Sequence, residues 1–416
     1  MRTVVSTGPG RLHLFLTAAA LLECGEDVRV VTGWIPGPAL LRAAAAAARW
    51  RRGGNLPARL NARAACDGFP RDRVVSCSLA DGLGALVQRG APDGPWASRA
   101  RRWAWQRFGR ASRRYLRDAD VFHVRSGAGR GGAIAVARRR GMVVVADHSI
   151  AHPRWMASVL TDEYAKYGAP CPFRSDDPFW NLVERDCGEA DVILVNSQFV
   201  ADTFVEQGFS AESLRVAYLG VSREWSGLKR SYAAGGRLHV VFIGEFGVRK
   251  GAGYLLDALE TLDPHRRRFA LTVIGGHAEV PLLARRHRIA PEDRLLGFVD
   301  AAAVRRHLAS ADMFVFPSLA EGCAKAAMEA MAAGVPVIAT RETGLPTLSG
   351  EHSLLVESRS VKALGEAMAM LADDENLRAR IGRAGERLVT ESYSWQRYGE
   401  QVSGIHASLL QGVTYV

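Results

Sequence analysis

Residues 317–337 decide the fold; they read PSLAEGCAKAAMEAMAAGVPV. The apolar run over 313–317 predicts a buried strand, Glu321-Gly322 a turn, and 324–333 a helix. A strand, loop and helix in this order put the loop at the carboxyl edge of a parallel sheet, where open α/β folds bind ligands. Free N–H groups at the start of the helix can hold a diphosphate there.

Short apolar runs alternate with longer helical patterns along the rest of the chain. Most of these runs are continuously apolar, as parallel strands buried on both faces require. The predicted strands are 3–6, 28–31, 121–124, 142–146, 192–196, 238–244, 270–275, 313–317, 335–339 and 353–356. Helices such as 324–333 and 360–372 fit the crossovers. The pattern predicts an α/β protein with two doubly wound Rossmann-like domains, for which 416 residues are enough.

The domain boundary is predicted in the stretch 222–236, which has no periodicity and contains Ser226-Gly227 and Gly235-Gly236. The N-terminal domain is then 1–225. The C-terminal domain is 237–395.

The chain is basic, with a net charge of +11 and a pI of about 9.7. Two arginine groups lie in the first half, the second interleaved with Trp103, Trp105 and Phe108 and preceded by Trp96. They are Arg42, Arg49, Arg51 and Arg52, and Arg99, Arg101, Arg102, Arg107, Arg110, Arg113 and Arg114. Such residues suit a solvated face, an anionic membrane surface or nucleic acid. Because no nucleic-acid motif accompanies them, no specific nucleic-acid partner is predicted.

The six cysteines are scattered and form no C-x-x-C pair. This spacing argues against a zinc site or a disulfide framework and favours a reducing compartment. No apolar run reaches the roughly 20 residues of a membrane helix. The sequence therefore predicts a cytoplasmic protein, with a peripheral position at the inner membrane face as the alternative.

Two acidic residues lie at the predicted 324–333 helix. Glu321 precedes this helix, and Glu329 lies within it. Each carboxylate could accept hydrogen bonds from sugar hydroxyls. Taken alone, the pair fits better a helix with an acidic first turn and one solvated glutamate.

A second candidate site is the stretch 241–251, VFIGEFGVRKG. A strand leads into a glycine-bearing turn with two adjacent cations, Arg249 and Lys250. Cations at a strand end can neutralise the charge that develops on a diphosphate leaving group. The alternative for Arg249 is a solvent-facing side chain.

The N-terminal half offers weaker candidates. Gly8-Pro9-Gly10 follows the first strand and fits either a phosphate loop or a plain tight turn. His148 follows the 142–146 strand, while His123 lies within an earlier strand and His152 lies further on. Each histidine is a candidate for catalysis or a buried structural residue.

The 317–337 block resembles the E-x7-E signature of glycosyltransferase family 4, retaining enzymes of the GT-B fold, in which two Rossmann-like domains face a cleft. The resemblance extends over 238–398 and, more loosely, over 193–221. It implies that Glu321 contacts the donor sugar and Glu329 the ribose. It also implies that sugar and phosphate are held by the amides of Gly322, Cys323, Ala324 and Lys325.

The same resemblance assigns further residues. Lys250 matches the lysine of the family's G-R-x-x-x-x-K-G turn, whereas Glu245 stands where the arginine is usual, so Arg249 is the substitute cation. Cys323 and Ala324 stand where Phe and Gly are usual. The remaining assignments are Val299 to the nucleotide base, Gly8 and Gly10 to the loop near phosphate and acceptor, and His148 to the donor sugar. A C-terminal helix, about 396–416, is expected to pack on the N-terminal domain.

These features predict retaining transfer of a sugar from a nucleotide-diphosphate donor to an acceptor hydroxyl, in glycan, glycolipid or natural-product synthesis. Glu321, His148 and Lys250 are the catalytic candidates. Neither a cofactor nor a metal is predicted. The alternatives are a GT-B nucleotide-sugar epimerase and a non-catalytic nucleotide-sugar-binding protein. A phosphorylase is disfavoured because no lysine context suits pyridoxal phosphate, and a Rossmann dehydrogenase because G-x-G-x-x-G is absent.

Overall fold

The computed structural model describes residues 1–50, 60–61, 63–77 and 95–412. Arg51 and Arg52 of the first basic group lie outside these residues. The described chain forms two β-sheets, of seven and six strands.

The first sheet has the strand order β3-β2-β1-β4-β5-β6-β7. Its pairs β1–β2, β1–β4, β2–β3 and β4–β5 are parallel. The strands are β1 (Arg2–Gly8), β2 (Asp27–Thr32), β3 (Val74–Ser76), β4 (Val121–Arg125), β5 (Val143–His148), β6 (Val192–Val195) and β7 (Leu214–Val216).

The second sheet has the order β10-β9-β8-β11-β12-β13, and all of its pairs are parallel. The strands are β8 (Leu238–Ile243), β9 (Phe269–Ile274), β10 (Arg294–Leu295), β11 (Met313–Phe316), β12 (Val337–Thr340) and β13 (Leu354–Val356). All ten predicted strands are present, with ends shifted by no more than about two residues. The sequence pattern does not predict β3, β7 and β10.

Helices cross between the strands, as parallel connections require, and three more helices follow β13, the last strand. In the described residues they are α1 (Leu14–Glu23), α2 (Pro38–Trp50), α3 (Pro95–Ser112), α4 (Ala133–Arg139), α5 (Pro153–Ala165), α6 (Trp180–Glu189), α7 (Gln198–Glu206), α8 (Ala252–Leu262), α9 (Val280–Leu283), α10 (Ala301–Ser310), α11 (Lys325–Ala332), α12 (Val361–Asp373), α13 (Glu375–Ser392) and α14 (Trp395–Leu410). The predicted helices 324–333 and 360–372 are α11 and α12. Of these, α11 is a crossover between β11 and β12, whereas the prediction that 360–372 is a crossover is wrong, because α12 follows the last strand.

The chain divides into two compact units. Unit 1 comprises Met1–His148, Asp176–Leu194 and Gly399–Val416, and unit 2 comprises Ser149–Ser175 and Val195–Tyr398. Within unit 1, His406 of α14 is hydrogen-bonded to His123 of β4, at 3.1 Å, and to Glu26, at 3.2 Å. These buried polar contacts tie the C-terminal residues to the first sheet. The boundaries at 225 and 237 stay a prediction.

Each unit has its own apolar core. In unit 1, Trp105 and Phe108 of α3 pack with Phe122 of β4 and Phe179. In unit 2, the fully buried phenylalanines include Phe242 and Phe316, whose rings stack at 5.1 Å between centroids. These cores hold the strands that carry the candidate residues at their ends.

The strand order reverses once in each sheet, between β1 and β4 in the first and between β8 and β11 in the second. Crossovers leave in opposite directions at such a point, so the carboxyl ends of the two strands open a crevice that binds ligands. Of the predicted candidates, Gly8 ends β1, Gly10 follows β1, Lys250 follows β8 and Glu321 follows β11.

Candidate functional site

In unit 2 the loop after β11 places Glu321. The backbone N–H of Glu321 donates to the Glu342 carbonyl at 3.0 Å, and its carbonyl accepts from the Ala151 N–H at 3.0 Å. Gly322 follows where a Cβ would lie 2.1 Å from the Ser149 carbonyl oxygen, so only glycine fits. The loop is thus fixed on both sides, and the carboxylate of Glu321 has a defined position.

The turn after β8 brings two cations to that carboxylate. Gly251 closes the turn with φ +69°, and a Cβ there would lie 1.9 Å from the Pro317 carbonyl oxygen at the end of β11. Glycine is required because the conformation is left-handed and because the two backbones touch. This close approach explains why Arg249 and Lys250 meet Glu321.

Both cations form ion pairs with one oxygen of Glu321. Arg249 NH1 lies 2.5 Å from Glu321 Oε1, and Lys250 Nζ pairs with the same atom. Burial by itself raises the pKa of Glu321, but the charges of Lys250 and Arg249 outweigh it and hold that pKa below its ordinary value. Burial lowers the pKa of Lys250 to about 8, with Glu321 opposing the shift and Arg249 adding to it. The site therefore holds a carboxylate and two cations whose charges an anionic ligand would redistribute.

Helix α11 places the second glutamate and a set of backbone donors. Glu329 is buried, and burial raises its pKa while the Lys325 ammonium, 3.3 Å away, opposes the rise. Of the four predicted amides, that of Ala324 already donates to the Thr343 carbonyl at 3.0 Å. In the described part of the chain, the N–H groups of Gly322, Cys323 and Lys325 have no hydrogen-bond partner. N–H donors with this placement can bind an anion.

Glu279, which sequence patterns did not indicate, orients the cationic turn. Its Oε2 accepts from the Val248 N–H at 2.7 Å, and its Oε1 accepts from the Tyr164 hydroxyl at 2.5 Å. Burial and the Glu279 carboxylate raise the pKa of Tyr164, which keeps the hydroxyl a donor. A Cβ on Gly247 would lie 2.4 Å from Glu279 Oε2. The glycine before this turn is the sequence signal that a side chain approaches it closely.

Glu245, at the position of the family arginine, lies against the turn after β9. Its Oε1 accepts from the Ala278 N–H at 3.1 Å, and a Cβ on Gly276 would lie 1.7 Å from its Oε2. Val299, the predicted base contact, is half-buried beside Phe298, which is 81% exposed. The Gly297 carbonyl accepts from the Gly275 N–H at 2.8 Å and joins this segment to the same sheet edge.

In unit 1 the Gly8–Gly10 loop packs against aromatic and cationic side chains. Gly8 has φ +68°, and a Cβ there would lie 2.8 Å from the Trp105 ring. A Cβ on Gly10 would lie 2.3 Å from NH1 of Arg125, the last residue of β4. Gly8 is therefore needed for packing against Trp105, whereas a side chain at Gly10 would displace the end of the Arg125 side chain.

The histidines of unit 1 fall into two groups. His148 Nδ1 lies 2.9 Å from Ser126 Oγ at the end of β5, so it is held at the sheet edge. His123 belongs to a buried chain of hydrogen bonds. Asp147 Oδ2 lies 3.0 Å from His13 Nε2 and 3.2 Å from His123 Nε2. His13, which the sequence patterns did not indicate, follows the glycine loop by three residues and is linked to a carboxylate 134 positions away.

His152 has a structural place in unit 2. It is the N-cap of α5, where its side chain accepts from the Arg154 N–H, and its ring packs edge-on against Phe204 at 4.7 Å. An aromatic contact and a helix cap account for this residue.

The described residues lack both a metal-binding cluster and a membrane-spanning helix. They contain no group of three or more His, Cys, Asp or Glu side chains arranged to hold a metal ion. Nor does any helix among them have both the length and the apolar character needed to cross a membrane.

Two adjacent family models cover most of the chain. Residues 11–225 match "Glycosyltransferase Family 4", and residues 237–374 match "Glycosyl transferases group 1". The chain belongs to glycosyltransferase family 4, as its motifs predicted.

Curated relatives share part of the sequence. The amylovoran biosynthesis glycosyltransferase AmsK of Erwinia amylovora is 30% identical over 200 residues, which are 44% of this chain and 48% of that protein. A GDP-mannose-dependent monoacylated α-(1-6)-phosphatidylinositol monomannoside mannosyltransferase of Corynebacterium glutamicum is 32% identical over 166 residues, 38% of this chain and 44% of that one. The chain spans about half the length of the curated relatives it matches.

Solved structures resemble the chain over its whole length. Sucrose-phosphate synthase from Thermosynechococcus elongatus matches with a TM-score of 0.70 at 15% identity, covering 99% of this chain and all of that one. Anabaena HepE in complex with UDP and glucose matches with a TM-score of 0.61 at 16% identity, covering 98% and 100%. These likenesses establish the GT-B fold predicted from the motifs.

Proposed function

We propose that the chain is a retaining, metal-independent glycosyltransferase that moves a hexose from a nucleoside diphosphate donor to an acceptor hydroxyl. The observation that carries the proposal is the cluster at the β8–β11 switch point, where Arg249 and Lys250 hold the Glu321 carboxylate beside free amides of the α11 start. The cations and amides there suit a diphosphate. The Glu321 carboxylate suits both the sugar hydroxyls and the positive charge that develops on the sugar.

Transfer begins when the donor diphosphate takes Lys250 and Arg249 as partners and frees Glu321 to accept from sugar hydroxyls. The bond from the anomeric carbon to the phosphate oxygen then breaks, and its electron pair leaves with the diphosphate. The acceptor oxygen bonds to the anomeric carbon on the same face, and its proton passes to the departing phosphate oxygen. The two cations and the amides of Gly322, Cys323 and Lys325 stabilise the negative charge that develops on the departing diphosphate.

The remaining residues take supporting roles in this proposal. Glu329 holds the ribose and Val299 lies at the base. Gly8 and Gly10 let the loop of unit 1 approach phosphate and acceptor, and His148 approaches the donor sugar. Residues 1–225 serve the acceptor and 237–395 the donor.

Glu329→Ala is expected to weaken nucleoside diphosphate binding by roughly 10- to 100-fold, because a charge-assisted hydrogen bond is lost. Turnover at saturating donor changes little. Isothermal titration with a nucleoside monophosphate and diphosphate should show equal losses, since the ribose is common to both. A 2′-deoxy analogue should bind the unchanged protein weakly and lose no further affinity in the variant.

Lys325→Met is the matched control, because it removes the ion-pair partner of Glu329 and leaves the carboxylate in place. It is expected to change monophosphate affinity less than about threefold. Equal affinity of Glu329→Ala and the unchanged protein for all three nucleotides would remove the ribose assignment.

The stereochemistry of the product tests the reaction type. Proton NMR of the glycoside formed from an α-linked donor should show an α-linkage to the acceptor. A β-anomer would overturn retention, and conversion of the donor sugar without transfer would favour an epimerase. The same assay with chelator present is expected to proceed at an unchanged rate if no metal takes part.

A nucleotide-sugar-binding protein without turnover is the second candidate function, and Glu245 favours it. Its carboxylate stands at the position of the family arginine, at the same sheet edge, so one cation of the family's donor site is missing there. This candidate predicts donor binding with neither hydrolysis nor transfer. Glu245→Arg would then raise donor affinity without creating turnover.

The proposal includes a cytoplasmic location, because the reducing cytoplasm keeps thiols such as the six free cysteines reduced. It also includes peripheral binding to an anionic membrane surface. On α3, Arg102, Trp103 and Arg107 are exposed, and the Arg107 guanidinium lies 5.1 Å from the Trp103 ring centre. Arginine beside an exposed tryptophan suits an anionic lipid surface.

Sedimentation with anionic liposomes tests this surface. Binding should fall with added salt, and R102Q/R107Q should weaken it by roughly tenfold or more, at about 1 kcal/mol per arginine. R139Q/R140Q removes the same charge from exposed positions at the end of α4 and should change binding less. Salt-insensitive binding, or equal loss in both double variants, would argue against α3 as the membrane surface.

A further inference from the structure

Residues 149–175 come from the first half of the sequence but belong to unit 2. Their helix α5 is held there by a buried carboxylate, that of Glu163, which is 2% exposed. Glu163 pairs with Arg359 Nε at 2.9 Å and accepts from the Tyr254 hydroxyl at 2.8 Å. A buried polar group whose partners are all in place makes a structure rigid, so the segment has a fixed position on unit 2.

This segment contacts both loops of the proposed donor site. Near its start, the Ala151 N–H donates to the Glu321 carbonyl at 3.0 Å. Further along, α5 packs against the cationic turn 248–250. The Phe173 ring centre then lies 5.9 Å from the Arg249 guanidinium. The donor-site loops are therefore supported by residues that the sequence pattern assigned to the other domain.

A chain of two hydrogen bonds leads from α5 to the cationic turn. The buried Tyr164 hydroxyl donates to Glu279 Oε1 at 2.5 Å, and Glu279 Oε2 accepts from the Val248 N–H at 2.7 Å. Val248 is the first residue of the turn, and Arg249 and Lys250 are the next two. The first N–H groups of a helical turn have no partner within it, so a side-chain acceptor fixes how the turn begins. The directions in which the two cations leave the backbone are fixed with it.

We propose that Tyr164 and Glu279 are positioning residues of the donor site, which fix the turn that presents Arg249 and Lys250 to the diphosphate. The proposal rests on the proposed function and adds two residues to it. Both residues act through the turn and not on the substrate. The negative charge of Glu279 would by itself weaken the hold of nearby cations on an anion, so its favourable effect comes from the hydrogen bond.

Alanine and glutamine at position 279 separate position from charge. Glu279→Ala removes the acceptor of the Val248 N–H, and nucleoside diphosphate should bind roughly 10-fold more weakly or worse. Glu279→Gln removes the same charge but keeps an oxygen for Val248 and offers an amide N–H to the Tyr164 oxygen. Its affinity, measured by isothermal titration, should stay within about threefold of that of the unchanged chain.

Two tyrosines of the segment give a matched comparison. Tyr164→Phe removes only the hydroxyl that holds Glu279 and should weaken diphosphate binding by roughly threefold or more. Tyr167→Phe is the control, because it removes a hydroxyl that lies 2.6 Å from His287 Nε2 and not at the turn. Its diphosphate affinity should equal that of the unchanged chain. Equal affinities of the two phenylalanine variants would contradict the role of Tyr164.

The Lys250 ammonium reports the position of the turn without any nucleotide. In the free chain burial lowers its pKa to about 8, with Glu321 opposing the shift, Arg249 adding to it and Glu245 opposing it. The chain has five lysines, so lysine-selective isotope labelling resolves them by NMR, and Lys250→Gln identifies the signal. Glu279→Ala should raise this pKa towards the ordinary lysine value of about 10.4, because a loosened turn exposes the ammonium to water. Loss of the Glu279 charge alone shifts the pKa the other way, so Glu279→Gln should show no rise.

A Lys250 pKa that is unchanged in Glu279→Ala would overturn the positioning role, as would equal diphosphate affinities of Glu279→Ala and Glu279→Gln. Circular dichroism confirms that each variant is folded. If Glu279→Ala is not, the comparison of Tyr164→Phe with Tyr167→Phe decides the question. If the unchanged chain binds no nucleoside diphosphate, the proposed function fails, whereas the Lys250 titration still decides whether Glu279 fixes the turn.

Discussion

Glu321→Gln is expected to lower donor turnover by about 100-fold or more while nucleoside diphosphate binds as tightly as before, or more tightly. The carboxylate pairs with Arg249 and Lys250, so it competes with a diphosphate for both cations. Glutamine ends that competition but cannot stabilise a positively charged sugar in the transition state. Loss of one well-placed electrostatic group costs roughly 100- to 1,000-fold in kcat.

Nucleotide release under saturating donor gives kcat, and isothermal titration gives the affinity. Glu329→Gln is the matched control, because it makes the same change eight residues along and should raise Kd with little change in kcat. If Glu321→Gln and Glu329→Gln both weakened nucleotide binding and had the same kcat, the assignment of Glu321 to the reacting sugar would be contradicted.

Lys250→Gln is expected to weaken nucleoside diphosphate binding by roughly 10- to 100-fold at neutral pH. The unchanged protein should also lose affinity as the pH rises above about 8, because burial lowers the pKa of Lys250 to about 8. A bound diphosphate favours the ammonium, so binding at higher pH takes up a proton, and affinity falls by up to about tenfold per pH unit.

Lys250→Arg keeps the charge at all these pH values, and its affinity should stay level where that of the unchanged protein falls. The ratio of the two affinities cancels the titration of the nucleotide itself. Since the folded-state pKa of Lys250 lies below its ordinary value, the folded chain binds fewer protons between about pH 8 and 10.4, and this residue's contribution to stability rises with pH there. A constant affinity ratio from pH 7 to 10 would contradict the place of Lys250 in the anion site.

Long buried strands could be predicted from the sequence, whereas three of the four short edge strands could not. A central parallel strand such as β11 is apolar at every position, so its pattern is unambiguous. The three strands without a sequence signal, β3, β7 and β10, end their sheets and have two or three residues that are mostly partly exposed. Each of these three strands contains a polar residue and leaves too short an apolar run, whereas the fourth edge strand, β13, is apolar at all three positions and was predicted.

The site could be predicted where it depends on strand ends. Arg249, Lys250 and Glu321 follow adjacent strands of one parallel sheet, so their proximity follows from topology once the two strands are recognised. Contacts that depend on how a loop folds back produce no recognisable pattern in the sequence. Glu279 reaches Val248 across 31 positions, and His13 reaches Asp147 across 134.

Thermal unfolding against UDP-, GDP-, ADP- and dTDP-sugars tests most directly whether unit 2 holds a nucleotide-sugar donor. One nucleotide is expected to stabilise the unchanged chain, by about 2.7 kcal/mol at 100 times its Kd. Lys250→Gln should need roughly 10- to 100-fold more ligand for the same shift. No shift with any of the four, or the same shift in Lys250→Gln, would contradict the donor site built from Lys250, Arg249 and Glu321.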